Sequence, residues 1–105
     1  MNFNKAFVLG NVTRDPELRH TPAGQSVATF GVATNRVWKS PSGEQKSQVE
    51  FHNIVAWGRL AEICSQYLKK GTLVFIEGRI LTMSWLDPQG QYIFRTEIVA
   101  QTMQM

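Results

Sequence analysis

The chain has little of what enzymes and secreted proteins usually display. Cys64 is the only cysteine among 105 residues, so no intramolecular disulfide forms and a reducing cytosol is the default compartment. There are two histidines, and His20, His52 and Cys64 do not have zinc-ligand spacing, so no metal site is expected. A glycine-rich phosphate loop, a dinucleotide fingerprint and a Gly-x-Ser-x-Gly elbow are all absent. The eight acidic residues are scattered, with no visible general-acid pair. These absences point to a non-enzyme without catalytic residues or a cofactor. No stretch approaches the ~18 apolar residues of a spanning helix. Met1-Asn2-Phe3-Asn4-Lys5 lacks a charged segment followed by an apolar run. A cytoplasmic protein with no membrane partner is expected. No repeat, low-complexity segment or linker breaks the chain, so residues 1–105 read as one domain.

Hydrophobic content of 43% and charged content of 18% fit a globular fold. The net charge of +3 permits a polyanionic partner without demanding one. Phe3 to Val12 is β-like, with Gly10 as a bend or bulge. Asp15-Pro16 turns the chain, and Glu17 to Thr21 reads as a short return strand before the turn at Pro22-Ala23-Gly24. Gln25 to Asn35 is a long strand with Ala28, Phe30 and Val32 on one face. Residues 36–46 read as a polar hairpin loop with Ser40-Pro41-Ser42-Gly43 at its tip. Gln48 to Trp57 is the third main strand.

The period then changes. Leu60, Ile63, Cys64, Tyr67 and Leu68 follow helical spacing over 59–70, with Lys69 and Lys70 suiting the C-terminal dipole and Gly71 a stop. Leu73 to Met83 and Tyr92 to Met103 are the last strands, joined by a loop over 84–91 that turns at Asp87-Pro88-Gln89-Gly90. Five main strands with one helix between the third and fourth match an all-β OB-fold, a Greek-key barrel. An SH3-like barrel gives no place to that helix.

The aromatics carry the functional signal. Trp38, Trp57 and Trp85 each stand beside a loop or a basic residue. Phe51 precedes Trp57 by six residues, so an extended strand puts both on one face. Any one ring alone reads as core or loop plug. The set of four among cations suits stacking against unpaired bases. Phosphates would be met by a subset of Lys5, Arg36, Lys39, Lys46, Arg59, Lys69, Lys70, Arg79 and Arg95. Arg36, Lys39 and Arg59 lead because they flank the aromatics. His52 falls on the strand face opposite Phe51 and has no nucleophile beside it, so it reads as a core or contact residue.

Lys5-Ala6-Phe7-Val8-Leu9-Gly10-Asn11-Val12 and Arg14-Asp15-Pro16-Glu17-Leu18-Arg19 resemble the opening of bacterial single-stranded-DNA-binding proteins. So do Val32-Ala33-Thr34-Asn35 with Trp38, and the run from Glu50 through Phe51, His52 and Trp57 to Glu62. Tyr67-Leu68-Lys69-Lys70-Gly71, Val74 to Arg79, Arg95 to Ala100 and Met103-Gln104-Met105 continue the match over nearly the whole chain. The resemblance implies sequence-independent single-stranded DNA binding in replication, recombination and repair. Its stacking aromatics fall on Trp38, Phe51, Trp57 and Trp85. The residues themselves offer Arg36, Lys39, Arg59, Lys70 and Lys5 as the nucleic-acid-binding cations. Phe51 and Trp57 are aromatics of a different kind from those of the best-known members, an exchange that stacking tolerates. The resemblance also implies a homotetramer with His52 at a subunit contact. Leu81-Thr82-Met83-Ser84 departs from it by lacking basic residues before Trp85. The family continues into a tail with an acidic tip that recruits replication and repair enzymes, whereas this chain stops at Met105. A trimmed core and a short tailless relative fit that ending equally. A dimeric interaction module of the primosome type and an oligosaccharide-binding barrel are the competing readings.

Overall fold

A computed structural model describes all of residues 1–105. Its elements in chain order are β1 (Ala6–Val12), β2 (Glu17–His20), β3 (Ser26–Lys39), β4 (Gln45–Trp57), α1 (Gly58–Tyr67), β5 (Leu73–Leu86) and β6 (Tyr92–Gln104). β1 pairs with both β5 and β3, so β1, β5, β6, β4 and β3 close a five-stranded barrel. All pairings are antiparallel except β4 with β6, which meet only at Ile54↔Ile98 and Val55↔Val99. This is the expected OB-fold, with α1 between the main strands β4 and β5.

Alternation builds the core. Ala28, Phe30 and Val32 of β3 point inward, as do Ile54 and Ala56 of β4 and Val74 and Ile76 of β5. Val8, Val12, Ile98 and Ala100 complete the ring. Helix α1 adds Ala61 and Cys64, and Leu68 follows just beyond its end. Burying a side chain such as Phe30 or Ile54 stabilises the fold by about 1.5–3 kcal/mol. Burial also pushes the Cys64 thiol up to about 11, so it is a neutral hydrophobe at physiological pH.

Several expectations are corrected. β2 is not a return strand: β1 and β2 both run antiparallel to β3 along the same edge of it. Pro16 has no N–H for the ladder, so the chain bulges out and then resumes the same direction. Gly10 is no bend. It pairs with Val74, and a Cβ there would collide with the Ala33 carbonyl oxygen. The helix ends at Tyr67, before the two lysines expected to complement its dipole. Leu68 turns extended to bury itself, its N–H bonding to Cys64 O at 2.9 Å. The Lys70 N–H then donates to Asp15 Oδ1 at 2.9 Å, and Gly71 adopts φ +94°.

The hairpin loops are shorter than expected because the ladders run past the barrel. β3 and β4 stay paired to Lys39↔Gln45, and β5 and β6 to Leu86↔Tyr92. Two ribbons therefore project from the barrel. Ile80, on the inward side of β5 opposite the core residue Ile98, is left exposed at a cleft that it lines with Ala6 and Phe7.

At Gly78 the pairing steps from Gly78↔Ala100 to Glu77↔Thr102, leaving Gln101 as an extra residue on β6. A Cβ on Gly78 would run into the Val99 carbonyl oxygen. Gly78→Ala is therefore expected to lower stability by about 1–3 kcal/mol, measured by urea denaturation.

Candidate nucleic-acid interface

The barrel's outer surface is set by the same alternation that fills its inside. Ile54 and Ala56 face the core, so Phe51, Asn53, Val55 and Trp57 face out from β4. Val99 lies beside Val55 on β6, and Arg95 follows on the same side. Across the ladder to β5, Arg79 pairs with Val99, Met83 with Arg95 and Trp85 with Ile93. Phe51, Trp57 and Trp85 thus share one outer face with Arg79 and Arg95. All three rings are solvent-accessible, with exposures of 71%, 42% and 47%.

Trp38 stands differently. The β3–β4 register runs from Val27↔Trp57 to Lys39↔Gln45 without a slip, so Trp38 keeps the phase of Phe30 and Val32. By alternation it projects from the opposite side of the ribbon to Phe51 and Trp57. Arg36 covers its ring, with the guanidinium carbon 4.9 Å from the centroid. Lys39 is exposed one residue beyond Trp38, at the end of β3. Lys46, opposite Trp38, reaches Glu44 at 3.8 Å.

The other expected residues fall at varied places. Arg59 is exposed in the first turn of α1, two residues after Trp57. Lys70 is exposed beyond the helix, beside Asp15. Lys5 is engaged by neighbouring side chains at the surface, paired with Glu77 and donating to Gln101 Oε1 at 3.1 Å. His52 is half-buried on the inward side, with Nε2 2.9 Å from Thr34 Oγ1. It also lines a cleft of about 400 Å³ between β1 and β4 with Phe7, Phe51 and Ile98. His20 is exposed on β2.

Sequence reasoning missed two features, the position of Arg95, which was already among the candidate cations, and the role of Arg14. The absence of basic residues at Leu81–Ser84 is offset across the ladder, because Arg95 sits opposite Met83 on the face of Trp85. Arg95 Nε also lies 3.4 Å from Glu97 Oε2. The second feature is Arg14, whose Nη1 lies over Gly31 on the outer side of β3. A glycine inside a strand pattern signals such a close approach.

The model of the Single-strand binding protein family matches residues 3–105. The chain belongs to that family. It is 52% identical over 103 residues to single-stranded DNA-binding protein 1 of Chlorobaculum tepidum, covering 97% of this chain and 64% of that one. It is 45% identical over 103 residues to the single-stranded DNA-binding protein of Wolinella succinogenes, covering 98% and 64%. Against single-stranded DNA-binding protein 1 of Lactococcus lactis it is 47% identical over 102 residues, covering 97% and 67%. The chain therefore spans just under two thirds of the first two relatives, at 64% of each. Among solved structures, a Plasmodium falciparum SSB complex with ssDNA superposes with a TM-score of 0.90 at 30% identity. That match covers 99% of this chain and 93% of the other.

The ribbon that carries Trp85 is pinned at its tip. Asp87 Oδ1 accepts the N–H groups of Gln89 at 2.9 Å and Gln91 at 2.8 Å, and Gly90 takes φ +82°. Asp87→Ala is expected to cost about 0.5–1.5 kcal/mol. Amide hydrogen exchange should speed up at Gln89 and Gln91 and stay unchanged in the core strands.

Proposed function

We propose that this chain binds single-stranded DNA without sequence preference, holding it open during replication, recombination and repair. The observation that carries the reading is the shared outer face of Phe51, Trp57 and Trp85, with Arg79 and Arg95 among them. Bases stack on exposed rings and the cations neutralise phosphates, so affinity falls as salt rises. Every base has a π-face, which makes such a surface tolerant of sequence. Trp38, covered by Arg36, and Lys39 extend the path onto the other side of the β3–β4 ribbon, and Arg59 and Lys70 border it. Lys5, tied to Glu77, contributes least. No catalysis, metal or cofactor is part of this role.

The assembly is a homotetramer, with His52 at a subunit contact. Its place in the cleft beside the exposed Phe7, with Leu9 exposed two residues further along β1, supports a subunit contact here. Replication and repair proteins join it where the full-length protein carries a tail. The setting is the cytoplasm, on the nucleoid, and no helix here is long and apolar enough to cross a membrane.

Each stacked base contributes about 1–3 kcal/mol. The Trp57→Ala/Trp85→Ala double variant should therefore bind oligo-dT at least about 30-fold more weakly. Fluorescence anisotropy with a labelled oligonucleotide measures this, beside a thermal melt close to that of the parent. Unchanged affinity would remove the stacking face from the reading.

A further inference from the structure

The break between β1 and β2 delivers a cation to the aromatic face. Pairing along β3 passes from Val12↔Val32 to Glu17↔Thr29. Thr13 stays in line, its N–H donating to Gly31 O at 2.9 Å. Arg14, Asp15 and Pro16 are left facing the single remaining residue of β3, Phe30, and must bulge outward. Bulges at barrel rims re-aim side chains. Asp15 turns toward the end of the helix, where its carboxylate accepts the Lys70 N–H. Arg14 turns over β3. Its Nη1 lies 3.4 Å from the point where a Cβ on Gly31 would stand, with Thr13 Oγ1 closer still.

That point lies on the outer side of β3. Gly31 pairs with Asn53, which sits between Phe51 and Trp57 on the same side of β4. The Arg14 guanidinium therefore rests on the sheet in the interval between two exposed rings. Four cations of the molecule, Lys5, Arg19, Lys46 and Arg95, have a carboxylate beside them. Arg14 is exposed and takes part in no ion pair. A strand whose bases stack on two platforms carries its phosphates across the gap between them. A guanidinium fork suits a phosphate there.

We infer that Arg14, seated on Gly31 by the bulge, binds a backbone phosphate of single-stranded DNA where the strand passes between Phe51 and Trp57. The inference rests on the single-strand reading above and adds a phosphate seat to it. Gly31 is part of the device, because a Cβ there would strike Thr13 Oγ1 and press against Arg14 Nη1, the two side chains that lie on the sheet at this point.

Oligo-dT affinity measured over a series of NaCl concentrations tests this. Arg14→Ala should weaken binding roughly threefold to tenfold and flatten the slope of log K against log salt by about 0.7. Arg14→Lys should recover the slope. Gly31→Ala should weaken binding, and adding it to Arg14→Ala should change little further. Arg19→Ala, which removes a cation paired with Glu17 on exposed β2, should leave affinity and slope unaltered. A thermal melt accompanies each variant, and Arg14→Ala decides the matter alone if Gly31→Ala unfolds. Tight binding by the parent with an unchanged slope in Arg14→Ala overturns the phosphate seat and leaves the stacking face standing. Failure of the parent to bind oligo-dT overturns both.

Discussion

The phase of β4 is the constraint on which the rest of the molecule depends. Ile54 and Ala56 must be inside, where they are almost fully buried, so Phe51 and Trp57 must be outside. Thirteen residue pairs with β3 hold that phase from Val27↔Trp57 to Lys39↔Gln45. A slip of one residue would turn Ile54 into solvent and the two rings into the core. Core packing and the binding surface are therefore two consequences of one register.

Barrel closure then brings β4 beside β6 through only two parallel pairs. That short junction suffices to align the outer side of β4 with the outer sides of β6 and β5, and so to add Arg95, Arg79 and Trp85 to the face of Phe51 and Trp57. Close approach of backbones keeps the barrel tight, and Gly10 and Gly78 stand where a Cβ would strike a carbonyl oxygen of a neighbouring strand. Beyond the barrel the same ladders continue as two ribbons, so Trp38 and Trp85 ride on extended paired backbone.

Much of this was legible in the sequence. The inward triplet Ala28, Phe30 and Val32, the helical stripe through Cys64 and the shared side of Phe51 and Trp57 all follow from periods of two and 3.6. The barrel and helix follow from element order. What sequence could not show depends on partners distant in the chain. Residues 36–39 read as polar loop because nothing local reveals that Gln45–Gln48 pairs with them. Asp15-Pro16 read as a reversal because a proline signals a turn and a bulge alike. Trp38 fell into one set with the other rings because composition carries no phase between strands. Arg14 went unnoticed because its significance comes from Gly31, which only the fold places beneath it.

The central claim is that the exposed tryptophans form a surface for unpaired bases. Titration of intrinsic tryptophan fluorescence with oligo-dT, against duplex DNA of equal phosphate concentration, tests it most directly. Strong quenching by oligo-dT that weakens with added salt, and little by the duplex, is the result this account predicts. An unquenched spectrum from a folded protein would contradict it and assign the rings to packing or to a protein contact.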